Sequence, residues 1–395
     1  MDRPGTALAA QLVDADVWST DPHPLLTKLR EQAPMAWNEE RGFWAVARHA
    51  DVMTVESDHK TFCAGGGILV DEIGVEYESP PTILHADPPI HTRYRRLVQP
   101  GFKPRVVKDL EPAVRARAIA LADRISGGET IDVVQSLAVP LPVQVIGTML
   151  GVPETHWDRF FEWSEAVIPG ATDWPEEKRQ SLMAEMVGYL VDATKERRKN
   201  PAQDVLTELA IAEIDGDQLS DDELAMFLVQ LLVAGNETTR NLISGGLVAL
   251  AENQGEWKRL RHDATLVPSA VEEMLRWTTP VIAFMRTATT DAEVGGQHVA
   301  PGEHLLMLFI SANRDRDVFG PSADTFDVGR EPNPHVAFGF GNHFCLGAAL
   351  ARLEARIVLE ELVSRFASIE LEGPVVRSGS AVIAGVKSAP MRFSN

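Results

Sequence analysis

The residues best placed to do chemistry lie between 338 and 347, where the chain reads Phe-Gly-Phe-Gly-Asn-His-Phe-Cys-Leu-Gly. The segment holds Cys345, one of two cysteines among 395 residues, with glycines at 339, 341 and 347 and His343 two residues upstream. Glycine has no Cβ and reaches positive φ at little cost, so such a loop can bring its backbone against a flat ligand while presenting one sulfur. The residues that follow, Ala348 to Glu360, are strongly helix-forming. A thiol at a helix N-terminus meets unpaired N–H groups and the positive end of the helix dipole, which favour the thiolate. A thiolate in a glycine-rich loop is an axial ligand for haem iron. The plain alternative is a buried structural cysteine, and the spacing of the glycines and His343 argues against it.

The pattern Phe-Gly-x-Gly-x-His-x-Cys-x-Gly resembles the haem-binding loop of the cytochrome P-450 monooxygenases. By that resemblance Cys345 is the metal ligand to the iron of haem b, and Phe338, Gly339 and Ala234 lie against the cofactor. Ala234-Gly235-Asn236-Glu237-Thr238-Thr239 places poor helix formers in an otherwise helical stretch, and a helical hydroxyl can bond back to the i−4 carbonyl and bend the helix. The segment is expected to interrupt its helix. It resembles the family's oxygen-activation motif, which makes Glu237 the acid and Thr238 the alcohol of a proton-handling pair. Splitting O₂ requires two protons at its outer oxygen, and an acid with a hydroxyl can deliver them. Glu273 and Arg276 stand three apart on one helix face. They match the family's Glu-x-x-Arg motif, with Arg330 as the third member of a structural triad. His91 and Arg95 share a helix face. With Arg286 and His343 they match the family's positions for holding the two haem propionates.

The bulk numbers exclude several classes. A net charge of -20 argues against nucleic acid as a partner. The first 18 residues have neither the apolar run of a signal peptide nor the length of an anchor. The most apolar stretch, Leu224 to Gly235, is too short to span a bilayer and contains Gln230. A cytoplasmic protein without a membrane partner is expected. Two cysteines far apart make no disulfide framework, so Cys63 is read as a free packing residue. No linker, repeat or low-complexity run divides the chain, which reads as one domain over 1–395 and as a monomer.

The surrounding pattern is mainly α with small β-sheets. Pro34 to Trp37 and Phe43 to Ala47 flank a polar turn as a hairpin. Helical periodicity covers His91 to Val98, Leu110 to Arg124, His156 to Val167, Glu176 to Arg198 and Asp204 to Ala212. Ser220 with Glu223 forms a capping box that opens a helix of roughly thirty residues, about 45 Å long at 1.5 Å per residue. Val271 to Trp277 is a further helix. Val281 to Thr287, Gln297 to Val299 and Leu305 to Phe309 read as strands, and 317–334 as coil. This order resembles the P-450 fold from end to end.

The resemblance implies a monooxygenase that inserts one atom of O₂ into a lipophilic small molecule, by hydroxylation or epoxidation; a steroid, terpenoid or fatty acid fits the style of the sequence. Nothing in the chain looks like a flavin or nicotinamide domain, so electrons are expected from outside; the resemblance implies an iron–sulfur ferredoxin and its NAD(P)H-dependent reductase as the donors. The basic stretch from His91 to Arg124 offers an acidic partner a patch for steering. Substrate is expected to meet Ile68, Leu69, Ile83, Gln230, Val233, Ala234, Ile282, Phe284 and Ile383. Two other readings remain: an H₂O₂-driven peroxygenase on the same fold, and a non-enzymatic haem sensor or ligand carrier. The Glu237–Thr238 pair speaks against both.

Overall fold

The structure is a computed structural model that describes residues 3–75, 81–167 and 174–395. It is mainly helical, with four small sheets among the described residues. The largest sheet starts with the expected hairpin, β1 (Met35–Asn38) and β2 (Phe43–Val46), paired antiparallel with Met35 opposite Val46. All four residues of β2 are buried, which suits a strand covered on both faces. After helix α1 (His49–Ser57) comes the edge strand β3 (Phe62–Cys63). Further along, β4 (Ala283–Ala288) and β5 (His304–Leu308) complete the strand order β1-β2-β5-β4-β3, with β2 and β5 parallel.

The helices that matter for function are α2 (Ile90–Val98), α3 (Pro104–Ala122), α4 (Pro140–Met149), α5 (Trp157–Val167), α6 (Glu176–Lys199), α7 (Asp221–Glu252), α8 (Val267–Thr278) and α9 (Ala348–Arg365). Helix α7 has 32 residues and opens on the predicted capping box: Ser220 Oγ accepts from Glu223 N–H, and the Glu223 carboxylate accepts from Ser220 N–H. Its second half is buried on nearly every side, as befits a helix that runs through a core. It packs against α4, α6, α8 and α9. Gly235 allows part of this, because a Cβ there would meet Ile146 Cδ1 of α4 at 2.9 Å.

One expectation is corrected here. Residues 234–239 do not interrupt α7, which is helical throughout. Tertiary burial on all sides outweighs the weak propensities of Gly, Asn and Thr. No described helix is long and apolar enough to cross a membrane.

Candidate active site

The loop that carries Cys345 is stiffened by its own backbone. Cys345 N–H donates to Phe338 O at 2.9 Å, Gly339 N–H to Val336 O at 3.0 Å, and Phe344 N–H to Gly341 O at 3.2 Å. Gly341 has φ +67°, and a Cβ there would lie 2.5 Å from the Glu56 carbonyl oxygen. Only glycine lets α1 dock so closely on the loop. Helix α9 starts three residues after the sulfur. The Gly347 N–H and the charges of Arg95 and Arg352 pull the Cys345 thiol down, yet burial pushes it up by more. The helix end, which the sequence had suggested would favour the thiolate, does not by itself outweigh burial at this sulfur.

Cys345 lines a cavity with about 1500 Å³ of empty space, counting the part open to solvent. Helix α7 supplies another wall through Gln230, Leu231, Ala234, Gly235, Thr238 and Thr239. Thr238 Oγ1 donates to the Ala234 carbonyl at 2.5 Å, the back-bond expected of a helical hydroxyl. The hydroxyl hydrogen is thereby used, and its lone pairs remain available as acceptors. Glu237 does not line the cavity, which corrects its placement beside Thr238 in the groove. One residue is about 100° around a helix, and Glu237 is turned into a buried ion-pair network. Its Oε1 accepts from Asn241 Nδ2 at 3.0 Å, and its Oε2 lies 3.4 Å from Arg240, which also reaches Glu165 of α5 at 3.1 Å.

His91, Arg95, Arg286 and His343 come together on the same cavity. The rings of His91 and His343 are 4.3 Å apart. Burial, with the charges of Arg286, His91 and Arg95, pushes His343 down to about 2; burial and then Arg95 also lower His91. Against the two guanidinium groups the cavity sets Glu56, whose Oε1 lies 2.9 Å from Arg286 Nη2. The electropositive edge disfavours further positive charge and suits an anionic ligand.

Comparison with known proteins decides the family. The Cytochrome P450 family model matches residues 127–377. The chain belongs to the cytochrome P450 family. It is 36% identical to linalool 8-monooxygenase of Pseudomonas putida, over 93% of this chain and 94% of that protein. It is 35% identical to steroid C26-monooxygenase of Mycolicibacterium smegmatis, over 92% and 88% of the two chains. The solved structure of CYP109Q5 from Chondromyces apiculatus matches with a TM-score of 0.89 at 35% identity, covering 97% of each chain. The enzyme is a P450 monooxygenase with the P450 fold, and its cofactor is haem.

The P450 site fits that cofactor. The cavity combines one sulfur, a broad apolar wall, and an edge where His91, Arg95, Arg286 and His343 face one another. Phe338 and Gly339 line it as expected, as does Ala234. The triad also assembles. Arg276 Nε and Nη2 donate to the two oxygens of Glu273 at 2.8 and 2.7 Å, and Arg330 Nε donates to Glu273 Oε2 at 3.1 Å. Arg276 then binds the carbonyls of Asn313, Ala323 and Thr325. Glu273 and Arg276 are fully buried, so the triad ties α8 to the coil that leads to Cys345.

Of the anticipated substrate contacts, Ile68, Ile83, Gln230, Ala234 and Phe284 line the cavity, whereas Leu69, Val233, Ile282 and Ile383 do not. Val233 is off the α7 stripe that contains 230, 234 and 238, since the helix repeats at 3.6 residues. Ile282 packs in the core with Leu306 and Leu308. Ile383 pairs through its backbone with Val281, and it is Val281 that lines the cavity. Leu69 is tied by its N–H to Glu72. Residues 76–80 and 168–173, in stretches (67–86 and 160–180) that correspond by resemblance to the family's variable substrate-recognition segments, lie outside the described residues.

Three features went unread in the sequence. Glu56 of α1 pairs with Arg286 and accepts from Phe340 N–H at 3.1 Å. Glu272 accepts from Arg352 and pairs with His335; despite burial, which pushes it up, those partners hold it at about 2. Glu354 lines the cavity from α9 with an unpartnered buried oxygen, and burial holds it up to about 8. Its signal was present: a carboxylate between Leu353 and Ile357, on a face that otherwise reads apolar.

Proposed function

We propose that residues 1–395 form one catalytic unit, a ferredoxin-dependent monooxygenase that hydroxylates or epoxidises a lipophilic small molecule of steroid, terpenoid or fatty-acid type. The observation that carries this is one cavity lined both by Cys345 and by the Ala234–Thr238 stripe of α7. Haem, when bound, would supply the chemistry of O₂ reduction and oxygen-atom transfer. Cys345 ligates that iron, and His91, Arg95, Arg286 and His343 hold the propionates. Thr238, with its hydrogen committed to Ala234, accepts a hydrogen bond from cavity water and so orders the path of incoming protons. Glu237, once it has taken up a proton from solvent and left Asn241 and Arg240, would pass that proton to the water and be reprotonated from solvent for the second. Ile68, Ile83, Leu84, Phe227, Leu231, Val281 and Phe284 give the substrate an aliphatic and aromatic wall. The named substrates of the two relatives, linalool and a steroid, support the same lipophilic class.

The test is turnover of a terpenoid and steroid panel by purified holoenzyme with NADPH, an iron–sulfur ferredoxin and its reductase, set against turnover with H₂O₂ alone. Product that depends on the electron chain is expected. Equal or faster turnover with peroxide alone would make the protein a peroxygenase.

A further inference from the structure

Among the described residues, two carboxylic side chains line the cavity that holds Cys345: Glu56 and Glu354. They are not alike. Glu354 keeps a buried oxygen without a partner, and burial holds it up to about 8, so at neutral pH it is mostly the uncharged acid. Glu56 has a cation beside it. Its Oε1 lies 2.9 Å from Arg286 Nη2, and both side chains are buried. An ion pair with a guanidinium marks Glu56 as the charged carboxylate of the two.

The charge sits in the cysteine loop itself. Glu56 Oε2 accepts from Phe340 N–H at 3.1 Å. A Cβ on Gly339 would lie 3.3 Å from the same oxygen, so the glycine makes room for the carboxylate. Phe340 is two residues beyond Phe338, whose carbonyl accepts from Cys345 N–H at 2.9 Å. At no more than about 3.6 Å per residue, these steps keep Glu56 Oε2 within about 13 Å of the Cys345 nitrogen. Arg286 is not used up by the pair. Its Nη1 donates to the Met285 carbonyl at 2.9 Å, and a guanidinium carries N–H groups enough to serve Met285, Glu56 and a haem propionate together.

Reduction of the haem iron takes one electron from an external donor and makes the site one unit more negative. Arg286 and Arg95 favour that change, and a fixed carboxylate opposes it. A unit charge about 13 Å away alters the uptake of one electron roughly tenfold at an effective dielectric constant of about 20. We propose that Glu56 holds down the reduction potential of the haem by offsetting the charge of Arg286 at the cysteine loop. The site then demands a strongly reducing donor, the class to which iron–sulfur ferredoxins belong. This rests on the reading above, in which Cys345 ligates the iron and Arg286 faces a propionate, and adds to it a residue that governs the entry of the electron.

The test is spectroelectrochemical titration of the holoenzyme, with haem content measured by pyridine haemochrome. Glu56→Gln leaves an acceptor for Phe340 N–H and removes the charge. Its potential rises by about 59 mV, which is tenfold in the ratio of reduced to oxidised protein for one electron. Glu56→Asp keeps the charge but shortens the reach to Phe340, and its potential moves by less than half as much. A change of less than twofold in that ratio for Glu56→Gln overturns the proposal, as does an equal rise in Glu56→Asp. Failure of Glu56→Gln to take up haem also overturns it, since the carboxylate is then a structural strap. The carbon monoxide adduct of the reduced native enzyme separates this from the underlying reading. A thiolate-type spectrum there, with an unmoved potential in Glu56→Gln, leaves the Cys345 site standing and removes Glu56 alone. Without that spectrum the Cys345 reading fails, and the role of Glu56 falls with it.

Discussion

The Thr238 hydroxyl hydrogen is committed to the Ala234 carbonyl, so the resting site loses little when the hydroxyl is removed. Its contribution comes later, when protons must reach the bound oxygen. Thr238→Ala is therefore expected to bind haem and substrate normally and to consume NAD(P)H at close to the usual rate. Product per NAD(P)H falls roughly tenfold, with H₂O₂ in its place, because a positioned proton-transfer group is lost. Stopped-flow binding with parallel assays of NAD(P)H, product and peroxide checks this; full coupling in the variant would remove Thr238 from the proton path. At this scale the site was legible where chemistry is written in local spacing. Cys345 with its glycines, and His91 with Arg95, needed only a loop or one helix turn to be brought together. Glu56 was not legible, since it owes its role to distant segments, Arg286 and the backbone of Phe340; Glu354 left only the trace of a carboxylate on an apolar helix face, and its place on the cavity came from the fold. Glu237 was found by motif, but its orientation depends on Arg240 and on Glu165 of another helix.

Among the elements, the capping box, the hairpin and the long helix stood where patterning placed them, because each is specified by its own residues. Side-chain direction was less secure. Val233 adjoins Ala234 in sequence yet misses the cavity, since one step around a helix changes the facing. The triad shows how such elements are locked to one another. Glu273 receives two bonds from Arg276 and one from Arg330, and also accepts Asp327 N–H at 2.9 Å and Asn333 Nδ2 at 3.1 Å. Removing either Glu273 or Arg276 strands a buried charge, a loss of about 3–5 kcal/mol. Glu273→Ala and Arg276→Ala are expected to yield little haem-loaded protein, with a lowered melting temperature in whatever folds. Haem content by pyridine haemochrome and thermal unfolding by circular dichroism are the measurements. Native values in both variants would reduce the triad to a dispensable ion pair.

The whole molecule is strongly acidic, yet its exposed cations are not spread evenly. Within the basic stretch, Arg93 is engaged by Asp217 and Glu223, Arg115 by Glu111, Glu360 and Glu361, and Arg117 by Glu154. These charges, some of which the sequence had offered to a partner, hold helices to one another. Lys103, Arg105 and Lys108 remain exposed at the start of α3. Lys108 shares a groove with Arg352 and Arg356 of α9, the helix that follows Cys345. An acidic electron donor steered to this face would come close to the cysteine-bearing end of the cavity. Steering of this kind acts mainly on the association rate and is screened by salt, since the Debye length shrinks from about 10 Å at 0.1 M to about 3 Å at 1 M. Reduction of the haem iron by ferredoxin, followed in a stopped-flow instrument, is therefore expected to slow as salt rises. The triple variant Lys103→Glu, Arg105→Glu, Lys108→Glu should slow it about tenfold at low salt and flatten the salt dependence, as expected for loss of steering. Reduction by dithionite, a small anion that needs no docking face, controls for damage to the haem site itself. If the ferredoxin rate ignores both salt and the reversed charges, the donor approaches elsewhere, and the basic start of α3 is no more than a solvated helix end.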